Sequence, residues 1–171
     1  LSSTLHLGHP ERAWRALSQW RSSWLSREGV LAVLVLSLLA VWFGWNYWIG
    51  SVPFLLGLPL VLLIAVTVYA TSMIYASLKT VACWHHPLTP VCYLLFSVSG
   101  GLLASMWLLA VAGQSFISEI YHLTYCLLIL AWLAKGLWWR NLDKKSPEST
   151  LESATGLGSF GKVRPLMPPH T

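Results

Sequence analysis

The chain predicts an all-α fold, a polytopic transmembrane helix bundle, and three observations predict it. Of its 171 residues, 56% are hydrophobic and only 10% charged, whereas about a quarter of the residues in soluble domains are charged. Four apolar stretches, Val30 to Trp48, Pro53 to Ser77, Val91 to Ala112 and Ile117 to Trp139, approach or exceed the roughly 18–20 residues needed to cross a hydrocarbon core of about 30 Å. None alternates with period two, so helices rather than barrel strands must satisfy the backbone in lipid.

Before the first span lies LHLGHPERAWRALSQWRSSWLSRE, from Leu5 to Glu28, a polar and tryptophan-rich segment. Leu1 to Leu7 reads as the last turns of a helix stopped by Gly8 and Pro10. Any span it belongs to lies upstream, and with Leu at residue 1 the chain is read as a fragment. After Pro10, residues Ala13, Trp14, Ala16, Leu17 and Trp20 share one helical side, which predicts a short helix lying in the membrane interface. Ser26 is placed to cap the first full span. Residues 1–29 thus form a helix end plus an interfacial loop, 30–139 the four-helix unit, and 140–171 a polar, Ser-, Gly- and Pro-rich loop or tail expected to be flexible.

The first span turns at Gly50, Ser51 and Pro53. In the second, Gly57 and Pro59 are expected to loosen the first turns, and the hydroxyls of Thr67, Tyr69, Thr71, Ser72, Tyr75 and Ser77 to act as interhelical hydrogen-bond donors. The connection KTVACWHHPLTP, Lys79 to Pro90, carries His85 and His86; neighbouring residues point in different directions, so no metal site is assigned. The third span contains Ser97, Ser99, Gly100, Gly101, Ala104 and Ser105, whose small size predicts close helix packing. In the fourth, Glu119 and His122 have Glu-x-x-His spacing, but a di-iron bundle needs a second such pair and two further glutamates. No other span has an interior carboxylate, leaving Glu119 as a candidate for a proton path only.

Cys83, Cys92 and Cys126 are odd in number and lack CxxC spacing, which argues for small apolar packers and against a disulfide, zinc or iron–sulfur framework. The eleven tryptophans gather near span ends, where an indole anchors at the headgroups. Arg12, Arg15, Arg21 and Arg27, Lys79, and Lys135, Arg140, Lys144, Lys145, Lys162 and Arg164 fall on one side of a four-span topology, while the turns at Gly50 and Gly113 carry no Lys or Arg. The positive-inside rule makes that side cytoplasmic. The basic surplus therefore describes membrane orientation, with the lipid bilayer as partner and no nucleic acid.

LHLGHPERAWRALSQWRSSWLSREGV, together with YASLKTVACWHHPLTP and the Ser/Gly-containing span after it, resembles the dimethyl sulfoxide reductase anchor subunit family; the likeness is close over roughly residues 1–112 and looser beyond. The resemblance implies an eight-helix fold of which this chain supplies the end of helix two and helices three to six. It implies a membrane anchor that oxidises menaquinol and passes the electrons to an iron–sulfur subunit and a molybdopterin catalytic subunit, in a bacterial inner membrane. It implies no haem, metal or iron–sulfur cluster in this chain. The family's quinol-site histidine maps onto His6 and its essential glutamate onto Glu28. Arg12, Arg15, Arg21 and Arg27 become a docking surface for the iron–sulfur subunit, or solvated charges on the inner face. The catalytic subunits of such reductases often carry export signals, which would place that docking face outside.

The chemistry suits those two residues. Oxidising a quinol removes two electrons and two protons, so a site needs a hydrogen-bond acceptor for the phenolic oxygen and a base beside it. A neutral imidazole serves the first need and a carboxylate the second. By position alone, a histidine ending one helix and a glutamate opening the next are equally what the helix macrodipole favours. Three rival readings stand beside quinol oxidation: a purely structural anchor, a cytochrome b anchor, for which only His122 lies at depth in a span, and a small transporter, for which no repeat is evident.

Overall fold

The computed structural model describes residues 10–50, 54–144 and 150–164, and it is helical throughout its long elements. A 3₁₀ turn, Pro10–Arg12, precedes a single short helix, α1 (Arg15–Ser18). Four long helices follow: α2 (Trp24–Ile49), α3 (Phe54–Ala76), α4 (Leu88–Val111) and α5 (Ser118–Asp143). Each is long and apolar enough to cross a membrane; a 26-residue helix such as α2 spans about 39 Å. The chain is therefore a multi-pass membrane protein.

Packing runs in chain order, α2 on α3, α3 on α4 and α4 on α5, with α1 laid against α2. The seams are made of small residues: Ala70, Ser72, Ser99, Thr124 and Ala131 are almost wholly buried, whereas Leu36, Val61, Trp107 and Ile129 face outward. This is the pattern expected where lipid is as apolar as the core and close backbone approach supplies the attraction.

Two of the second-span hydroxyls expected to bond between helices, Thr67 and Ser72, stay within their own helix, as do Ser99 and Thr124. Thr67 donates to Leu63 O, Ser72 to Tyr69 O, Ser99 to Leu95 O and Thr124 to Ile120 O, at 2.7–2.8 Å. Each satisfies itself one turn back in its own helix, the local bond open to Ser and Thr. Thr71 is different, because its hydroxyl also reaches α2. In the third span Ser99 is buried, but Gly100 and Gly101 meet nothing within 4 Å and Ala104 is exposed, so most of that small-residue run lies outside the packed seam.

The start of α2 also differs from the sequence expectation. The helix begins at Trp24, and Ser23 is its cap, accepting from the Ser26 N–H. Ser26 is buried and its hydroxyl donates to the Ala16 carbonyl, fastening α1 to α2. Gly29 marks the closest approach: a Cβ there would stand 2.7 Å from a Leu17 methyl. Arg27 completes the fastening, with Nε donating to Trp20 O at 2.9 Å, Nη2 to Arg21 O at 2.7 Å, and its guanidinium 4.2 Å from the Trp24 ring centroid. Arg27→Ala is expected to cost about 2 kcal/mol of local stability, the scale of charge-assisted bonds to carbonyls at a partly exposed site. Faster hydrogen exchange at Ser22 and Ser23, with α3 to α5 unchanged, is the expected readout.

Two glycines end helices where turns are predicted, and Ser51 and Pro53 lie outside the described residues. Gly50 closes α2 in the left-handed region at φ 80°, and Gly113 follows α4 at φ 71°. Helix α3 runs unbroken through Gly57 and Pro59, with the Trp42 ring packed 3.2 Å from where a Gly57 Cβ would be.

The last described segment has its own small fold. A short helix, α6 (Leu151–Thr155), and a 3₁₀ turn, Gly158–Phe160, are closed by the Val163 N–H donating to the Glu152 carboxylate at 3.2 Å. Backbone N–H donors and the Thr150 hydroxyl hold the Glu152 carboxyl below its usual range. A depressed folded pKa means the closure is fully present above the unfolded value and lost as pH falls through the folded one. Val163 amide exchange is therefore expected to accelerate as the pH drops below 4.5, the ordinary value for this carboxyl.

Candidate functional site

The basic ends of all four long helices meet at one level. Glu28 lies four residues into α2, Thr71 five before the end of α3, Tyr93 five into α4, and Lys135 eight before the end of α5. At 1.5 Å per residue these are depths of about 6 to 12 Å along each helix. The opposite ends, at Gly50 and Gly113, carry neither Lys nor Arg.

Glu28 is half-buried, and Thr71 Oγ1 donates to its Oε1 at 2.7 Å. The same hydroxyl lies 3.0 Å from Thr67 O. A hydroxyl has one proton to give, so it bonds Glu28 while that group is ionised; when Glu28 carries a proton, Thr71 can accept it and donate to Thr67 instead. Because α2 starts at Trp24, its first turn holds no acid. Glu28 sits in the second turn, beyond the first-turn setting in which the macrodipole alone would explain a carboxylate.

One turn beyond Thr71, Tyr75 stacks on Tyr93 of α4 with ring centroids 5.8 Å apart. The Glu28 carboxylate and the Tyr75 side chain both lie within electrostatic reach of the Tyr93 hydroxyl. Trp84, from the connection between α3 and α4, meets Tyr75 edge-on at 5.2 Å. Behind Tyr93 opens a cavity of about 270 Å³ walled by Tyr75, Trp84, Tyr93, Lys135 and Trp138. Lys135 Nζ stands 3.6 Å from the Trp138 ring centroid. Among the described residues no carboxylate comes within ion-pair distance of it. Lys135 is grouped by charge with the last loop, yet it falls inside the apolar run Ile117 to Trp139, and helix α5, continuing to Asp143, keeps it within the span.

His6 lies outside the described residues. Of the four arginines, Arg27 is committed to the α1–α2 fastening, whereas Arg12, Arg15 and Arg21 are exposed, the latter two beside Trp14 and Trp20. His85 Nδ1 is 2.6 Å from Ala76 O, while His86 Nδ1 accepts the Leu88 N–H at 3.1 Å, so the paired histidines serve separate backbone groups. Glu119 and His122 are exposed in the first turns of α5, at the end opposite Glu28. Cys92 is buried as a packer would be, Cys83 partly so, and Cys126 is exposed.

Sequence reasoning passes over Tyr75, Tyr93 and Lys135 as site residues. For Lys135 a signal exists, since an ionisable side chain within an apolar span is expensive and asks for a reason. For the tyrosines there is none, because nothing local distinguishes them from interfacial anchors.

A multi-pass helical protein with a carboxylate–hydroxyl cluster at one membrane face is the class that fold and site define. Residues 1–153 match the family model described as DMSO reductase anchor subunit (DmsC), and the chain belongs to that family. It is also similar to the C subunit of the sulfite dehydrogenase of Allochromatium vinosum, 33% identical over 170 residues, covering 91% of this chain and 52% of that protein. The chain thus spans about half the length of that curated relative. No solved structure matches.

Proposed function

We propose that this anchor binds menaquinol at the basic ends of its helices, oxidises it, and hands the electrons to an iron–sulfur subunit that serves a molybdopterin catalytic subunit. The observation that carries the reading is Glu28, a half-buried carboxylate held by Thr71 and facing a tyrosine pair, in the position where the family places its essential glutamate. Glu28 takes the quinol proton and releases it to water at the membrane face. His6, by the same correspondence, accepts the hydrogen bond of the quinol hydroxyl. The exposed Arg12, Arg15 and Arg21 offer a cationic surface beside the site for the iron–sulfur subunit.

The test is direct. In membranes containing the assembled complex, a short-tailed naphthoquinol is expected to reduce the partner's iron–sulfur centres, read by electron paramagnetic resonance. An assembled complex whose clusters stay oxidised would sink the proposal. The name of the Allochromatium relative favours a second reading, in which electrons pass from the soluble subunits into quinone. The same residues would serve it, Glu28 then delivering protons, and donor-driven quinone reduction outpacing quinol oxidation would identify that direction.

The same proposal puts the protein in a bacterial inner membrane, and the charge distribution supports cytoplasmic basic ends. Cys83, partly exposed in the α3–α4 connection on that side, is a native reporter. A membrane-impermeant maleimide is expected to label it in inverted vesicles and not in intact spheroplasts; the reverse pattern would put the site outside.

A further inference from the structure

We infer that the cavity between α3, α4 and α5 is the seat of the quinol head group, with Tyr93 and Lys135 as its polar contacts. This rests on the quinol reading above and adds a location that Glu28 alone does not supply. Three features select a prenylated hydroquinone. The walls are flat and aromatic, with Tyr75, Trp84 and Trp138 offering ring faces and edges to a planar ligand. The polar groups are few: the Tyr75 and Tyr93 hydroxyls, the Lys135 ammonium, and a Thr89 hydroxyl already committed to Trp84 O. Finally, a groove of about 430 Å³ shares Cys92, Tyr93 and Lys135 with the cavity and runs on to Phe96 and Ser97. It leads away from the basic face and passes the edge-on Phe96–Trp132 pair. A polar aromatic head beside a continuing apolar groove matches a ring with an isoprenoid tail. A phospholipid would instead bring a phosphodiester to a site with a single described cation.

The contacts then divide the chemistry. Lys135 donates to one ring oxygen and stabilises the negative charge that develops as its O–H bond breaks. Tyr93 lines the cavity and lies within electrostatic reach of Glu28, so its hydroxyl can accept one proton from the ring while donating its own onward. Two protons leave the quinol in all, and two electrons leave singly to a one-electron iron–sulfur centre of the partner, giving the quinone. Glu28 holds one proton at a time, so it must discharge to water between the two steps.

Lys135→Met and Tyr93→Phe, made in the complex assembled in membranes, are expected to raise the KM for a short-tailed naphthoquinol about tenfold or more. Lys135→Arg is expected to stay within about threefold of the unmodified protein. A direct measurement covers variants that fail to assemble. Oxidised naphthoquinone added to the purified, unsubstituted complex is expected to quench tryptophan fluorescence, and Trp84→Phe with Trp138→Phe to remove most of that quenching, where Trp42→Phe does not. If Glu28→Gln stops turnover while the Lys135 and Tyr93 variants keep the original KM, the cavity assignment fails and the quinol reading stands. If the unsubstituted complex oxidises no naphthoquinol, the quinol reading itself fails. Quenching of Trp84 and Trp138 by brominated phospholipid that naphthoquinone cannot displace would make the cavity a lipid site and overturn the assignment.

Discussion

Glu28→Gln is expected to lower quinol-dependent electron transfer by about 10²- to 10⁴-fold, the usual contribution of a positioned general base, while leaving the protein folded and assembled. The two halves of that expectation have separate causes. Glutamine keeps a carbonyl oxygen where Oε1 accepts from Thr71 at 2.7 Å, so the α2–α3 contact survives. It has no basic oxygen, so the quinol proton has nowhere to go. Glu28→Leu removes both functions and leaves the Thr71 hydroxyl to its own helix. Its extra effect over Glu28→Gln belongs to packing, not proton transfer. Thr71→Val tests the converse. The carboxylate remains as base but loses its hydrogen bond, for which a net effect of about 1 kcal/mol corresponds to roughly a fivefold change. Initial rates across naphthoquinol concentrations separate these outcomes. The assignment of Glu28 as base does not survive if the glutamine variant keeps more than a tenth of the normal kcat.

Ser99→Leu and Gly100→Leu, adjacent residues of α4, are expected to shift stability in opposite directions. Ser99 is 0% exposed and bonded back to Leu95. Leucine there overfills a seam built for close approach, at a cost of about 1–3 kcal/mol. Gly100 meets nothing within 4 Å. Leucine there relieves the helix penalty of glycine, which is worth up to about 1 kcal/mol. Denaturation midpoints of the chain in bicelles, titrated with a denaturing detergent, measure both. Equal destabilisation by the two substitutions would mean that the Gly100 face is covered, and the helix packing described for α4 would need another neighbour.

Much of this can be read from residues alone. Long apolar runs admit few solutions in lipid, since every backbone polar group must be satisfied within the helix. The four spans and the turns at Gly50 and Gly113 follow from that constraint. Element ends are less legible. Trp24 to Glu28 mixes polar and apolar residues, so the start of α2 depends on which serine caps. Ser23 takes that role because Ser26 is drawn to Ala16 across the loop. The hydroxyls mislead for a related reason. A serine or threonine in an apolar helix can turn back on its own carbonyl or cross to a neighbour, and its sequence is the same either way.

Composition, span length and the one-sided distribution of Lys and Arg are enough to define four membrane spans in this chain with a polar, basic face, and the motif around Glu28 points to its family. Packing alone brings Glu28 to Thr71, stacks Tyr75 on Tyr93, and makes Lys135 the cation of an aromatic cavity. Those pairings join residues 43 positions apart in the Glu28–Thr71 case, on helices whose own periodicity is nearly featureless. An apolar helix in lipid carries little pattern to say which face meets its neighbour. That choice is made by small residues allowing close approach, and it is visible only once the helices are in contact.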